Sequence, residues 1–160
     1  MHGDASFGID PDTSRSRSGV LADFANCPIV WLAVYQQFVA LSVAEAEFAA
    51  LNRTCREIVW LRRVVDEIGF PQSQATTIYC DNNTVITLSE NNIATRPKTN
   101  HILRRFNYVR EQQDAGLIKT VKINGVDNPT DFFTKVLGKR LFIKGRHSNL
   151  DSAIVLSFFL

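Results

Sequence analysis

Hydrophobic and polar positions follow two periods along the chain, about 3.6 residues as in a helix and two residues as in a strand. The longest regular stretch has the helical period and runs from residue 39 to 70. Ser42 and Glu45 in this stretch have the spacing of a capping box, and Gly69 suits a left-handed C-cap. The pattern therefore predicts one amphipathic helix that covers a sheet. Its apolar side chains recur every three or four residues, at Ala44, Phe48, Leu51, Cys55, Ile58, Leu61, Val65 and Ile68.

Short apolar runs on either side of this helix predict five strands. Three precede it, at residues 2–9, 19–25 and 29–33, and the turn-like spacer between the last two favours a hairpin. The β-branched run at 76–80 predicts a fourth strand that ends at Asp81, and alternation over 117–123 predicts a fifth.

Helix signals fill the remaining segments. A brief helix is predicted at 84–89 and a longer one at 101–115, with a polar loop over 91–100 between them. Asn128 and Pro129 predict the start of a last helix with Asp131 in its first turn. The chain is therefore predicted to be an α/β protein of mixed α+β type, with its main elements in the order βββαβαβα.

Composition narrows the class of protein. The 160 residues suit one domain, and 45% hydrophobic with 21% charged residues is ordinary globular composition, which excludes disorder and a membrane class. The three cysteines share no metal-ligand spacing, so we expect them to be reduced in an intracellular protein. The net charge is only +2, but basic residues cluster over 53–63, 104–110 and 135–146, which permits a polyanionic partner.

Four acidic residues fall on four separate predicted elements: Asp4, Glu47, Asp81 and Asp131. Clustered carboxylates repel one another, and hard divalent ions such as Mg²⁺ or Mn²⁺ relieve that repulsion. Two such ions can activate a water and stabilise both oxygens that exchange when a phosphodiester is cut. However, a chain with 16 acidic residues often places four near element ends by chance. Spacing alone therefore leaves a solvated surface and a two-metal nuclease site both open.

Longer motifs resemble a known family. The strings DASFGIDPDTSRSRSGV, VALSVAEAEFAAL, TIYCDNNTVI and NPTDFFTKVLGKRLF, in this order, are similar to the ribonuclease H domain at the end of the polyprotein of copia-type LTR retrotransposons. The resemblance runs from about Asp4 to Arg146. It implies a ribonuclease H-like domain over 1–146 with a five-stranded mixed sheet flanked by helices. It also implies a shortened first strand, because the family carries several more residues there, and it leaves 147–160 as a poorly specified tail.

The resemblance also assigns roles to single residues. The acidic set of the family, D, E, D and D, falls on Asp4, Glu47, Asp81 and Asp131, which it implies are catalytic residues that bind two Mg²⁺ or Mn²⁺ ions. Glu45 is then the capping partner. The implied function is a metal-dependent endonuclease that cuts the RNA strand of RNA·DNA hybrids, inside a cell, in a cytoplasmic particle or the nucleus. A reverse transcriptase domain is expected upstream in the same polyprotein, and no membrane partner is expected.

Departures from the family pattern keep a second function open. Ser6 and Phe7 stand where the family usually has an aspartate and a tryptophan, and Val34 and Tyr35 replace two lysines. The alternative is a decayed or domesticated ribonuclease H-like domain that binds nucleic acid without catalysis. An integrase or transposase on the same fold is disfavoured, because its catalytic glutamate comes last in chain order, whereas Glu47 comes second.

Overall fold

Five strands form one mixed sheet in a computed structural model that describes residues 1–25, 27–90, 100–140, 142–143 and 145, with the backbone alone for 100–102. The sheet order is β3-β2-β1-β4-β5. The strands are β1 (His2–Ser6), β2 (Arg17–Phe24), β3 (Cys27–Tyr35), β4 (Thr76–Cys80) and β5 (Ile118–Lys122). β1, β2 and β3 pair antiparallel, while β4 is parallel to both β1 and β5. The predicted five-stranded mixed sheet is confirmed.

Besides helical residues at 139–140, 142–143 and 145, the described part of the chain contains one short 3₁₀ turn, Gly125–Asp127, and four α-helices. The helices are α1 (Val43–Glu67), α2 (Asn83–Glu90), α3 (Asn100–Asp114) and α4 (Asp131–Thr134). Two separate helices therefore lie between β4 and β5. The predicted order of main elements, βββαβαβα, counts only one helix there, although separate helices were predicted at 84–89 and 101–115. The predicted polar loop, apart from residue 100, and the tail at 147–160 lie outside the described residues.

The ends of α1 are set by local hydrogen bonds. The Ser42 hydroxyl accepts from the Glu45 amide at 3.2 Å, and the Glu45 carboxylate accepts from the Leu41 amide at 2.8 Å. Gly69 has a φ of 91°, a conformation that glycine adopts at little cost. The helix begins directly after the predicted cap at Ser42 and ends before Gly69, so it is shorter at both ends than the regular stretch of residues 39–70.

The main core lies between α1 and the sheet. Gly3 of β1 is close to this helix, because a Cβ there would collide with the Thr54 hydroxyl. A side chain at Gly3 would push α1 away from the strand that carries Asp4. The buried cluster joins α1 to β4, β5, α2 and α3 through Phe48, Leu51, Cys55, Ile58, Ile78, Cys80, Val85, Val109 and Ile118.

The short helix α4 packs against β2, close to Gly19. A Cβ on Gly19 would lie 2.7 Å from the Thr134 methyl carbon and 3.1 Å from the Phe133 Cβ. Thr134 itself is fully buried. The absence of a side chain at Gly19 therefore allows α4 to approach the sheet. In the described residues, no helix has the length and apolar character that crossing a membrane requires.

We expect Gly19→Ala to lower the free energy of unfolding by about 1 to 3 kcal/mol, because the added methyl group overpacks the contact with α4. Urea denaturation followed by circular dichroism measures this. The matched control is Gly138→Ala, since a Cβ at Gly138 meets nothing within 4 Å. Equal losses in the two variants would contradict the close approach of α4 to β2.

Candidate metal centre

Three of the four predicted acids converge at one end of the sheet. Asp4 lies in β1, Asp81 directly follows β4, and Glu47 is in the first turns of α1. Since β1 and β4 are parallel with His2 opposite Tyr79, Asp4 and Asp81 lie level with each other on neighbouring strands. One carboxylate oxygen from each of the three residues lies within 4.8 Å of the others. The fold therefore builds a three-carboxylate cluster from three elements.

Burial gives this cluster unusual electrostatics. Asp4 is 1% exposed and Glu47 is 7% exposed. Burial raises the pKa of Asp4 to about 6, and the charges of Asp131 and Asp81 add to this rise. Burial, followed by the charges of Asp4 and Asp81, raises the pKa of Glu47 to about 8. Burial and the neighbouring negative charges therefore oppose the ionisation of Asp4 and Glu47.

Elements outside the cluster lie beside two of its members, and one of these elements donates a hydrogen bond to Asp4. The fully buried Thr134 hydroxyl donates a hydrogen bond to Asp4 Oδ2. The turn at Gly125 lies beside Asp81, because a Cβ on that glycine would be 3.3 Å from Asp81 Oδ2. Asn128 Oδ1 accepts from the Thr130 amide at 3.2 Å and so orders the entry to α4. The Asp4 side chain is therefore oriented by a hydrogen bond from α4 in addition to its position on β1.

The donor set fits a divalent cation. Glu47 Oε2 is buried and has no hydrogen-bond partner, which is costly for an isolated carboxylate. Three carboxylates supply the hard oxygen ligands that Mg²⁺ and Mn²⁺ prefer. A cation bound among them would use the unpartnered oxygen and remove the mutual repulsion. The cluster therefore has the chemistry of a metal centre.

The fourth predicted acid, Asp131, lies beside the cluster and outside it. Its Oδ1 atom is 2.5 Å from the ammonium nitrogen of Lys135, one turn further along the chain. Its charge nevertheless contributes to the raised pKa of Asp4, so the two carboxylates are near each other. Sequence reasoning assigned no role to Thr134 and counted Lys135 only among the basic residues of 135–146, although both lie in the string DFFTK.

Parts of the predicted basic segments serve the fold itself. Arg53 pairs with Glu57 at 2.8 Å, and Arg62 donates to the backbone carbonyls of Gln72 and Gln74. Other basic side chains remain exposed and available to a polyanion, namely Arg56, Arg63, Arg104, Lys139 and Arg140. All three cysteines are free, and Cys55 and Cys80 are buried.

Comparison by sequence finds relatives among transposon proteins. The chain is 36% identical over 151 residues to the Retrovirus-related Pol polyprotein from transposon TNT 1-94 of Nicotiana tabacum, covering 91% of this chain and 11% of that protein. It is 28% identical over 141 residues to the corresponding protein from transposon RE2 of Arabidopsis thaliana, covering 88% and 10%. The chain thus spans about a tenth of the length of the curated relatives it matches. No protein-family model matches it.

Comparison by structure gives the fold. LC11-RNase H1, crystallised in complex with an RNA/DNA hybrid, aligns with a TM-score of 0.59 at 13% identity, covering 83% of this chain and 91% of that one. The Prototype Foamy Virus Protease-Reverse Transcriptase aligns with a TM-score of 0.53 at 14% identity, covering 94% of this chain and 20% of that one. The fold is that of ribonuclease H. The chain is a ribonuclease H-like domain homologous to a segment of retrotransposon Pol polyproteins.

We expect Glu47→Gln to stabilise the metal-free protein at pH 8 by on the order of 2 kcal/mol, because the amide removes a charge that the site disfavours. The raised pKa of Glu47 means that the parent loses stability as pH rises from about 4.5 to about 8. At pH 5 Glu47 is largely protonated in the folded state, so the variant should differ little there.

Thermal melting in EDTA at pH 5 and pH 8 measures this difference. The control is Glu67→Gln, which removes an exposed carboxylate near the end of α1. If Glu47→Gln melted below the parent at pH 8, the electrostatic description of the cluster would be wrong.

Proposed function

We propose that this domain is a metal-dependent endonuclease that cleaves the RNA strand of RNA·DNA hybrids, as part of a copia-type retrotransposon replication machinery inside the cell. The observation that carries the proposal is the cluster of the buried Asp4 and Glu47 with the partly buried Asp81, in which one Glu47 carboxylate oxygen has no hydrogen-bond partner. The kinship with transposon Pol polyproteins supports the biological setting.

Asp4, Glu47 and Asp81 would hold the first Mg²⁺ or Mn²⁺ ion, and Asp131 would contribute to a second. Two bound ions would activate a water and stabilise the attacking and leaving oxygens of the phosphodiester. The protein's own contribution is orientation, since Thr134 fixes one oxygen of Asp4 before any ion binds. Burial of Asp4 and Glu47 keeps competing water away and strengthens their attraction for a cation.

A hybrid substrate is supported by a structural relative whose crystal structure contains an RNA/DNA hybrid. In this chain the exposed Arg56, Arg63 and Arg104 and the basic residues after α4 would contact phosphates. Such contacts do not read base sequence, so cleavage should depend little on sequence. In the full polyprotein we expect a reverse transcriptase domain upstream to supply the hybrid.

The second candidate function is binding of nucleic acid without catalysis. It is favoured by the Lys135 contact of Asp131, which leaves the fourth predicted acid engaged within the protein. Incubation of the folded protein with an end-labelled hybrid and Mg²⁺ separates the two functions. Cuts in the RNA strand that EDTA prevents support the nuclease, whereas binding without cuts at any Mg²⁺ or Mn²⁺ concentration supports the alternative.

We expect Asp81→Asn to reduce hybrid cleavage by about a hundredfold or more, because the amide keeps the side-chain volume but removes the charge that attracts a divalent ion. Initial rates with a labelled hybrid in Mg²⁺ measure the loss. Asp66→Asn, which changes an exposed carboxylate on α1, is the matched control and should cleave like the parent. A thermal midpoint no lower than that of the parent verifies the fold, and unchanged cleavage would exclude Asp81 from the site.

We expect the affinity for a hybrid to fall at least about tenfold between about 50 and 200 mM NaCl, because phosphate contacts release counterions. The Asp81→Asn variant allows this measurement by fluorescence anisotropy without cutting the probe. A second hybrid of unrelated sequence serves as control and should bind within about threefold of the first. Affinity that is independent of salt would contradict binding through the basic residues.

A further inference from the structure

Asp131 and Lys135 form an ion pair at the edge of the carboxylate cluster. The Asp131 Oδ1 atom lies 2.5 Å from the Lys135 ammonium nitrogen, and the two side chains are 27% and 44% exposed. The backbone supports the pair, because the Lys135 amide donates to the Asp131 carbonyl at 3.0 Å. Asp131 is therefore already neutralised by a cation that belongs to the protein.

The backbone under this pair is fixed, whereas the two side chains can rotate. Thr134, between them, is fully buried and hydrogen-bonded to Asp4, and α4 lies close to Gly19 of β2. The Lys135 side chain has a flexible four-carbon stem and is close to half exposed. Separation of the pair thus needs a side-chain rotation and no movement of α4.

The charge of Lys135 also acts on the cluster itself. It lowers the pKa of both Asp4 and Glu47 and so opposes the effect of their burial. In the metal-free protein this ammonium therefore compensates part of the charge that a bound divalent ion would compensate. A divalent ion that binds Asp131 therefore has to displace the Lys135 ammonium group.

We infer that Lys135 is a tethered counterion that competes with a second divalent ion for Asp131 and so sets the concentration at which that ion binds. The inference rests on the proposed two-metal function. The first ion uses Asp4, Glu47 and Asp81 and does not require the pair to separate. The second ion requires Asp131 and must break the pair, so it binds more weakly than the first.

The experiment measures Mn²⁺ binding to the protein without nucleic acid, by the electron paramagnetic resonance signal of free Mn²⁺. We expect Lys135→Gln to bind the second Mn²⁺ about fivefold more tightly than the parent, since a partly exposed ion pair no longer competes. The first Mn²⁺ should bind within about twofold of the parent. Lys135→Arg keeps the charge and should resemble the parent, as should Lys139→Gln, which removes an exposed charge four residues further on.

Three results would overturn the inference: a second Mn²⁺ that binds Lys135→Gln no more tightly than the parent, equal tightening of both ions, or one bound Mn²⁺ in every variant. Thermal melting in EDTA verifies that each variant is folded. Hybrid cleavage is measured separately. A parent protein that binds ions as expected but never cuts the hybrid would overturn the proposed function and leave this inference standing. Cleavage by the parent, with no effect of Lys135→Gln on ion binding, would overturn this inference and leave the proposed function standing.

Discussion

The mutual repulsion of buried carboxylates is the constraint on which the rest of this domain depends. Asp4, Glu47 and Asp81 come from three different elements and are held within 4.8 Å of one another, at a cost in folding free energy. Hydrophobic burial must exceed that cost before any cation is bound. The burial of large apolar residues of α1, β4 and β5 provides this favourable free energy.

Two close approaches to the sheet then define the site. At Gly3 the helix α1 comes close enough for Glu47 to reach the end of β1, and at Gly19 the helix α4 comes close enough for Thr134 to reach Asp4. Both positions lack a side chain on a strand, so backbone and helix meet without an intervening layer. The positions of Glu47 and Thr134 relative to Asp4 thus depend on glycines in the neighbouring antiparallel strands β1 and β2.

The sequence was most informative where the signal is local. The period of the apolar residues and the capping groups at Ser42 and Glu45 predicted α1, and β-branched runs predicted the strands, because these patterns depend on neighbouring residues. The convergence of Asp4, Glu47 and Asp81 was inferred from family resemblance, because the sequence alone does not show which acidic residues on separate elements lie close together in the fold.

The pairing of Asp131 with Lys135 escaped prediction for a different reason. An aspartate and a lysine four residues apart are common on helix surfaces, and nothing in the spacing shows that the pair lies beside buried acids. The hydrogen bond between Thr134 and Asp4 likewise depends on tertiary packing. Side-chain partners of this kind are decided by a few ångströms of helix placement.

The hydrogen bond between Thr134 and Asp4 joins residues 130 positions apart, whereas the last described residue of the buried core cluster is Ile118. Closing so long a loop costs chain entropy that a local helix does not. Removal of α4 would therefore take the hydrogen-bond donor from Asp4 without removing any described residue of that core cluster.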